Sequence, residues 1–282
     1  MPRSALMRWI RTGQVRVDKS RCKPFDTLSS GQNVRIPPCS LEPDRPIDAE
    51  PAPNPFRLGT VYEDDSLLVL AKPPGLPSQP GSGLTDSVVH RLKKAYAGRA
   101  WTPTLVHRLD IDTSGLLLVA KTYASLRHLQ DLWSRDAVRK VYLAWVDGRV
   151  DWPHWTELRD RLQQTIRRGK GRRSLSRTVE AVAWVKSLRP RQGGSLVAVS
   201  LETGRKHQIR LQMAQRGHPV LGDDKYGSLR CGQGLLLHAC HLAWESRTFT
   251  LAPQWLGEYE VSEEELQACL ADLPSRPRGE AS

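Results

Sequence analysis

The 282-residue chain predicts an α+β fold: a mixed, mostly antiparallel β-sheet core with flanking helices and loops. Three observations carry that expectation. Short apolar or alternating runs recur at 67–71, 116–120, 138–146, 179–185 and 196–201, the pattern of buried or half-buried strands. Helical periodicity is confined to a few short stretches. The regular βαβα alternation of a doubly wound parallel sheet is missing.

Taken in order, residues 1–40 form a small basic module. Residues 5–11 can make a short helix with Leu6, Trp9 and Ile10 on one face and Arg8 and Arg11 on another. Gly13 stops it, Val15-Arg16-Val17 alternates like a strand, and Val34-Arg35-Ile36 supplies a second strand after a turn. Residues 41–56, rich in proline and acidic side chains, are a linker. The main domain spans 57–270. Its first strand, 67–71, ends at Pro73-Pro74-Gly75. Thr122 caps a helix that places Leu126, Leu129 and Trp133 on one face. A second helix, 208–216, stops at Gly217. Residues 271–282 carry no apolar pattern and are read as a disordered tail.

The charge narrows the partner. Forty-two Lys and Arg against 30 Asp and Glu give +12, with a pI near 9.8, which suits a polyanion. No apolar run approaches the roughly 20 residues of a membrane span, and the first residues lack the apolar core of a secretory signal. Five scattered cysteines without Cys-x-x-Cys spacing fit reduced thiols in a cytoplasmic protein and argue against a zinc ribbon. The segment from Asp160 to Arg177 carries Arg161, Arg167, Arg168, Lys170, Arg172, Arg173 and Arg177. It reads as a solvated loop that contacts RNA phosphates.

Three polar clusters could share a cleft. In the first, His107-Arg108-Leu109-Asp110 enters an apolar strand through Thr113-Ser114-Gly115. A carboxylate there, with Arg108 close by, can stay ionised and act as a nucleophile. In the second, Tyr142 alternates with Val141 and Leu143 and so faces the opposite side of its strand. The third, 203–210, is a glycine turn opening a helix that carries Arg205, Lys206, His207 and Arg210. Carboxylate, aromatic and arginine together suit a flipped nucleobase. Singly, Asp110 could be a turn residue, Tyr142 a core aromatic and Arg210 a surface charge. His107 and His207 lack partners at metal-ligand spacing. Asp223-Asp224, between Gly222 and Gly227, reads as a turn rather than a divalent-ion site.

With these motifs in view, the chain closely resembles the RluA-type pseudouridine synthases, over roughly residues 58–250. The ordered matches are VYEDDSLLVLAKPPGL, VHRLDIDTSGLLLVAK, KVYLAWVDG, LETGRKHQIR, GHPVLGDDKYG and LLLHACHL. The resemblance implies the pseudouridine synthase fold and isomerisation of uridines to pseudouridine, with no cofactor and no metal. It implies Asp110 as nucleophile, Arg210 as its basic partner, Tyr142 stacking on the target base and Arg108 beside the vacated space in the RNA. His107, Arg205 and Lys206 would also meet RNA, Lys206 standing where the family usually has a small hydroxyl residue. The first forty residues resemble part of an S4-type RNA-binding domain. Together with Gly81-Ser82-Gly83-Leu84, this looks most like the RluC-type branch acting on 23S ribosomal RNA, and a monomer is expected. Transfer RNA as substrate, a non-catalytic ribosome-assembly factor and a metal-dependent nuclease are the alternatives.

Overall fold

The computed structural model describes residues 9–10, 12–23, 26–37, 58–80, 86–99, 101–166, 175–227 and 231–274. It divides into two compact units, Met1–Asp48 and Ala49–Ser282. In the first, β1 (Arg16–Val17) lies between β2 (Ser20–Arg21) and β3 (Val34–Arg35), both antiparallel to it. Asp18 and Lys19 join β1 to β2 with positive φ at both positions, 48° and 67°, as a tight two-residue hairpin turn requires. Of the helix expected over 5–11, only Trp9 and Ile10 are described, and both are helical.

The second unit holds β4 (Gly59–Glu63), β5 (Leu67–Lys72), α1 (Val88–Ala95), β6 (Thr104–Leu105), β7 (Ser114–Ala120), α2 (Tyr123–Ser134) and β8 (Arg139–Val146). They are followed by β9 (Thr156–Ile166), β10 (Leu175–Arg189), β11 (Ser195–Leu201), α3 (Gln208–Gln215), β12 (Leu237–Trp244), β13 (Arg247–Thr250) and α4 (Glu263–Leu270). The sheet order is β4-β5-β7-β12-β8-β11-β10-β9, with β13 beside β12 and β6 beside β7. Among the described pairs only β7 and β12 run parallel. Their close approach explains Gly115: its φ is +112°, and a Cβ there would collide with the Ala239 backbone. Thr122 caps α2 through a capping box closed by Ser125, and Leu126 and Leu129 are buried as expected.

The strand period sorts the centre of the sheet into two faces. Val141, Leu143 and Trp145 of β8 join Leu196 and Ala198 of β11 under Leu266 and Cys269 of α4. Ala144 and Val146 point the other way, with Val197 and Val199, onto Ile209 and Met213 of α3. Tyr142 lies on this second face, against two apolar clusters that meet beside it.

The charged segment 160–177 differs from its expected form. Rather than one long loop, its two ends are strands: Arg161 belongs to β9 and Arg177 to β10, in an antiparallel ribbon registered from Thr156↔Val185 to Ile166↔Leu175. Leu158 and Leu162 turn one face of β9 inward while Arg161 stays exposed, so the charge conceals a half-buried strand. Residues 167–174, with Arg167, Arg168, Lys170, Arg172 and Arg173, lie outside the described residues. So do the 41–56 segment and residues 275–282.

Candidate active site

Asp110 sits in the short loop between β6 and β7, and the backbone is pinned on both sides of it, at Leu109 and at Ile111. On one side the Ser78 hydroxyl donates to the Leu109 carbonyl at 2.7 Å and accepts the Leu109 N–H at 3.1 Å. On the other, the Lys72 ammonium donates to the carbonyl of Ile111 at 2.7 Å, and to those of Leu76 and Pro73, each at 2.8 Å. Lys72 is 2 % exposed. Burial pulls its pKa down to about 8, against the opposing pull of Asp112 and Asp110. A lysine so wrapped works as a three-pronged clamp, and it holds the loop where thermal motion would otherwise blur the carboxylate.

Two buried histidines complete the fixation. His107 stacks on Trp133 with ring centroids 4.4 Å apart, and its Nε2 accepts the Leu118 N–H at 3.0 Å. His238 donates from Nε2 to the Leu251 carbonyl at 3.0 Å, which leaves Nδ1 to accept the Ser114 hydroxyl at 2.8 Å. Burial holds their pKa values at about 3 and about 4 respectively. In the unfolded chain both would titrate near 6.5, so that state takes up protons first. The contribution to stability is therefore complete above about pH 6.5 and is lost as the pH falls towards the folded values, by about 2 kcal/mol per histidine at pH 5. Urea unfolding at pH 8 and pH 5 checks this; equal stabilities would mean that the rings are not held neutral. His107 thus serves as a prop inside the fold, and its acceptor edge is already taken.

Opposite the loop stands an ion-paired frame. Arg210, on the first turn of α3, donates to both oxygens of Asp223, from Nε at 2.7 Å and Nη2 at 2.6 Å. Its Nη1 lies 3.7 Å from Asp110 Oδ2. Asp223 is fully buried and also accepts the Lys225 and Tyr226 N–H groups at 3.0 and 3.1 Å. Burial alone would raise its carboxyl pKa, but the Arg210 bonds and these N–H groups outweigh it and lower it. Gly222, at φ +76°, packs against the Gly234 carbonyl where no side chain fits, which sets the turn that presents Asp223. Between frame and loop lies His207, its Nε2 3.7 Å from Asp110 Oδ1 and its Nδ1 2.8 Å from the Tyr226 hydroxyl.

The sequence therefore names Asp110, Tyr142 and Arg210 as neighbours, and all three line one open cleft of about 1100 Å³. Burial, then the Asp110 charge, raises the phenol pKa of Tyr142, so it presents a neutral ring and O–H. Arg205 and Lys206 are exposed on the same rim. Arg108 is exposed with its guanidinium 3.5 Å from Gln79 Oε1. It is Arg210, not Arg108, that lies against the carboxylate. Reading Asp223 as a turn residue is correct for its backbone and misses its side chain. His207 stands in the third polar cluster but has no role assigned there, and Lys72, Ser78, Tyr226 and His238 carry no signal in composition. A lysine closing an apolar strand is the one hint, for Lys72. Among the described residues no group of three or more His, Cys, Asp or Glu could hold a metal ion, and no helix is long and apolar enough to cross a membrane.

The family described as RNA pseudouridylate synthase matches residues 66–215, which include the Asp110 loop, Tyr142 and Arg210. The chain belongs to that family. Curated relatives agree. The ribosomal large subunit pseudouridine synthase C of Vibrio cholerae is 36 % identical over 86 % of this chain and 80 % of its own length. Its namesake in Escherichia coli is 37 % identical over 80 % of this chain and 72 % of its own. Among solved structures, human RNA pseudouridylate synthase domain containing 1 shares the fold at a TM-score of 0.58 and 22 % identity, covering 79 % of this chain and 98 % of that one. The pseudouridine synthase is thus an isomerase on a mixed α+β fold, as its motifs imply.

Proposed function

We propose that this pseudouridine synthase isomerises uridines of 23S ribosomal RNA, with Asp110 as the nucleophile. One observation carries the reading: a partly exposed carboxylate, 29 % accessible, is held between two pinned peptides in a cleft whose opposite wall is a buried Arg210–Asp223 pair. A nucleophile must be reachable, and a guanidinium already neutralised by Asp223 stands 3.7 Å from Asp110 without capturing it. Tyr142 would stack on the extruded base, and Arg108, free to swing out from Gln79, would take the space left in the RNA. The cleft exceeds the roughly 300–1,000 Å³ of small-molecule pockets, as a nucleotide with its neighbours requires. Breaking and remaking one glycosidic link within a nucleotide calls for neither cofactor nor metal.

Cations outside the cleft would hold the RNA. Arg205 and Lys206 suit phosphates near the target. The β9–β10 ribbon is tied to α3 at its base, where Gln212 Nε2 donates to the Leu158 and Ala181 carbonyls at 3.1 and 3.2 Å and Arg216 pairs with Asp160 at 2.9 Å. Arg167, Arg168, Arg172 and Arg173, which the sequence places between the two strands, would then contact RNA phosphates. Replacing those four by alanine should weaken binding and flatten log affinity against log salt by about one unit for each phosphate left unneutralised. An unchanged slope makes the ribbon a bystander.

In the N-terminal unit the register sets Arg21, Arg16 and Arg35 abreast on three neighbouring strands. Like charges directly opposite one another destabilise a sheet, and a phosphate backbone along the row would relieve them. This supports reading residues 1–40 as a partial S4-like RNA-binding module; we further propose that the 41–56 linker joins it to a 57–270 catalytic domain in a cytoplasmic monomer. Mapping pseudouridines in total RNA from a strain lacking the protein tests the substrate. Loss of sites in 23S ribosomal RNA is expected; loss confined to transfer RNA would move the assignment there.

A further inference from the structure

Isomerisation needs a proton carrier. When C5 of the rotated base bonds to C1′, C5 still holds its hydrogen and N1 has none; the product requires the reverse. Asp112 and Asp224 also line the cleft, but among the described ion pairs only Arg210 and His207 approach the Asp110 carboxylate, each at 3.7 Å. Arg210 is a cation committed to Asp223, Lys72 donates to three carbonyls, and Tyr142 keeps its phenolic proton because burial and Asp110 disfavour the phenolate. His207 remains. Burial, and the cations Arg210, Lys225 and Lys206, favour its neutral form against the opposing pull of Asp110. Its side chain is 14 % exposed and opens on the cleft.

The backbone supports the same conclusion. His207 caps α3 in the left-handed region, at φ 56° and ψ 26°, with no side-chain capping bond. L residues rarely adopt that conformation, and such backbone clusters at functional sites. Here it turns the ring away from the helix towards Asp110. The Tyr226 hydroxyl at Nδ1 fixes the ring and can either donate or accept, so it supports both neutral tautomers. Tyr226 is itself held by its N–H on Asp223 and by the Arg210 guanidinium 5.2 Å from its ring centroid.

We propose that His207, oriented by Tyr226, is a catalytic residue that carries the C5 proton. The C5–H bond breaks, its electron pair forms the C5=C6 double bond, and the displaced C6=N1 pair passes to N1. The proton goes to Nε2 of His207 and returns to N1, directly or through water, so nothing is oxidised and no proton is lost overall. The proposal rests on Asp110 as the nucleophile.

Single-turnover release of tritium from RNA labelled with 5-tritiated uridine reads the step. His207→Gln should slow release by about 100-fold, the lower range of general-base contributions, and expose an isotope effect at C5. The same variant should rearrange RNA carrying 5-fluorouridine, which has no C5 proton, within about twofold of the parent, since general-base assistance has no part in that step. Tyr226→Phe, which keeps the ring and removes only the hydroxyl, should show the same split at about 10-fold. Equal losses on both substrates, or tritium release at the parental rate, overturns the relay. If Asp110→Asn still rearranges the fluorouridine RNA, the nucleophile assignment fails instead.

Discussion

Asp110→Asn is expected to lower the single-turnover rate of pseudouridine formation by at least about four orders of magnitude, the scale on which catalysis depends on an intact nucleophile. Affinity for the same RNA should change by less than about threefold, because phosphate contacts, not the nucleophile, dominate binding. The substitution is nearly isosteric, and the clamps on either side act on the Leu109 and Ile111 backbone, so the loop should keep its place. Filter binding and quenched-flow assays on one transcript separate the two quantities. A parallel fall in both would make Asp110 a binding residue.

Asp223→Ala is expected to be the most disruptive change away from the nucleophile. It strips a 6 %-exposed arginine of its bidentate partner, and breaking a buried pair from one side costs about 3–5 kcal/mol. Turnover should fall by about 100-fold or more as Arg210 shifts towards Asp110. The double variant Arg210→Met with Asp223→Leu distinguishes stability from chemistry. Removing both charges should restore much of the urea midpoint, while turnover stays lost. Recovery of turnover along with stability would show that the pair serves the fold alone.

The fold was legible where burial is two-sided. Leu67–Lys72, Ser114–Ala120 and Ser195–Leu201 are almost wholly buried, and continuous apolar runs announce them. β9 was not legible, because only Leu158 and Leu162 mark its inner face among charged and amide side chains. In the site, Asp110, Tyr142 and Arg210 stand in motifs that point to one another. The positioning groups do not, since their work is done through backbone atoms remote in sequence. Lys72 acts 39 residues away on Ile111, and His238 acts 124 residues away on Ser114. Asp223 was visible as a glycine-bounded turn, yet nothing local says that its carboxylate would meet the arginine 13 positions earlier.

The central claim is that uridine isomerisation by this chain depends on the Asp110 carboxylate. Its most direct test is complementation of a strain lacking the protein with the wild-type chain or Asp110→Asn, followed by carbodiimide-adduct primer extension on large-subunit ribosomal RNA. The wild-type chain should restore the missing pseudouridine stops and Asp110→Asn should restore none. Stops restored at wild-type strength by Asp110→Asn would contradict the account.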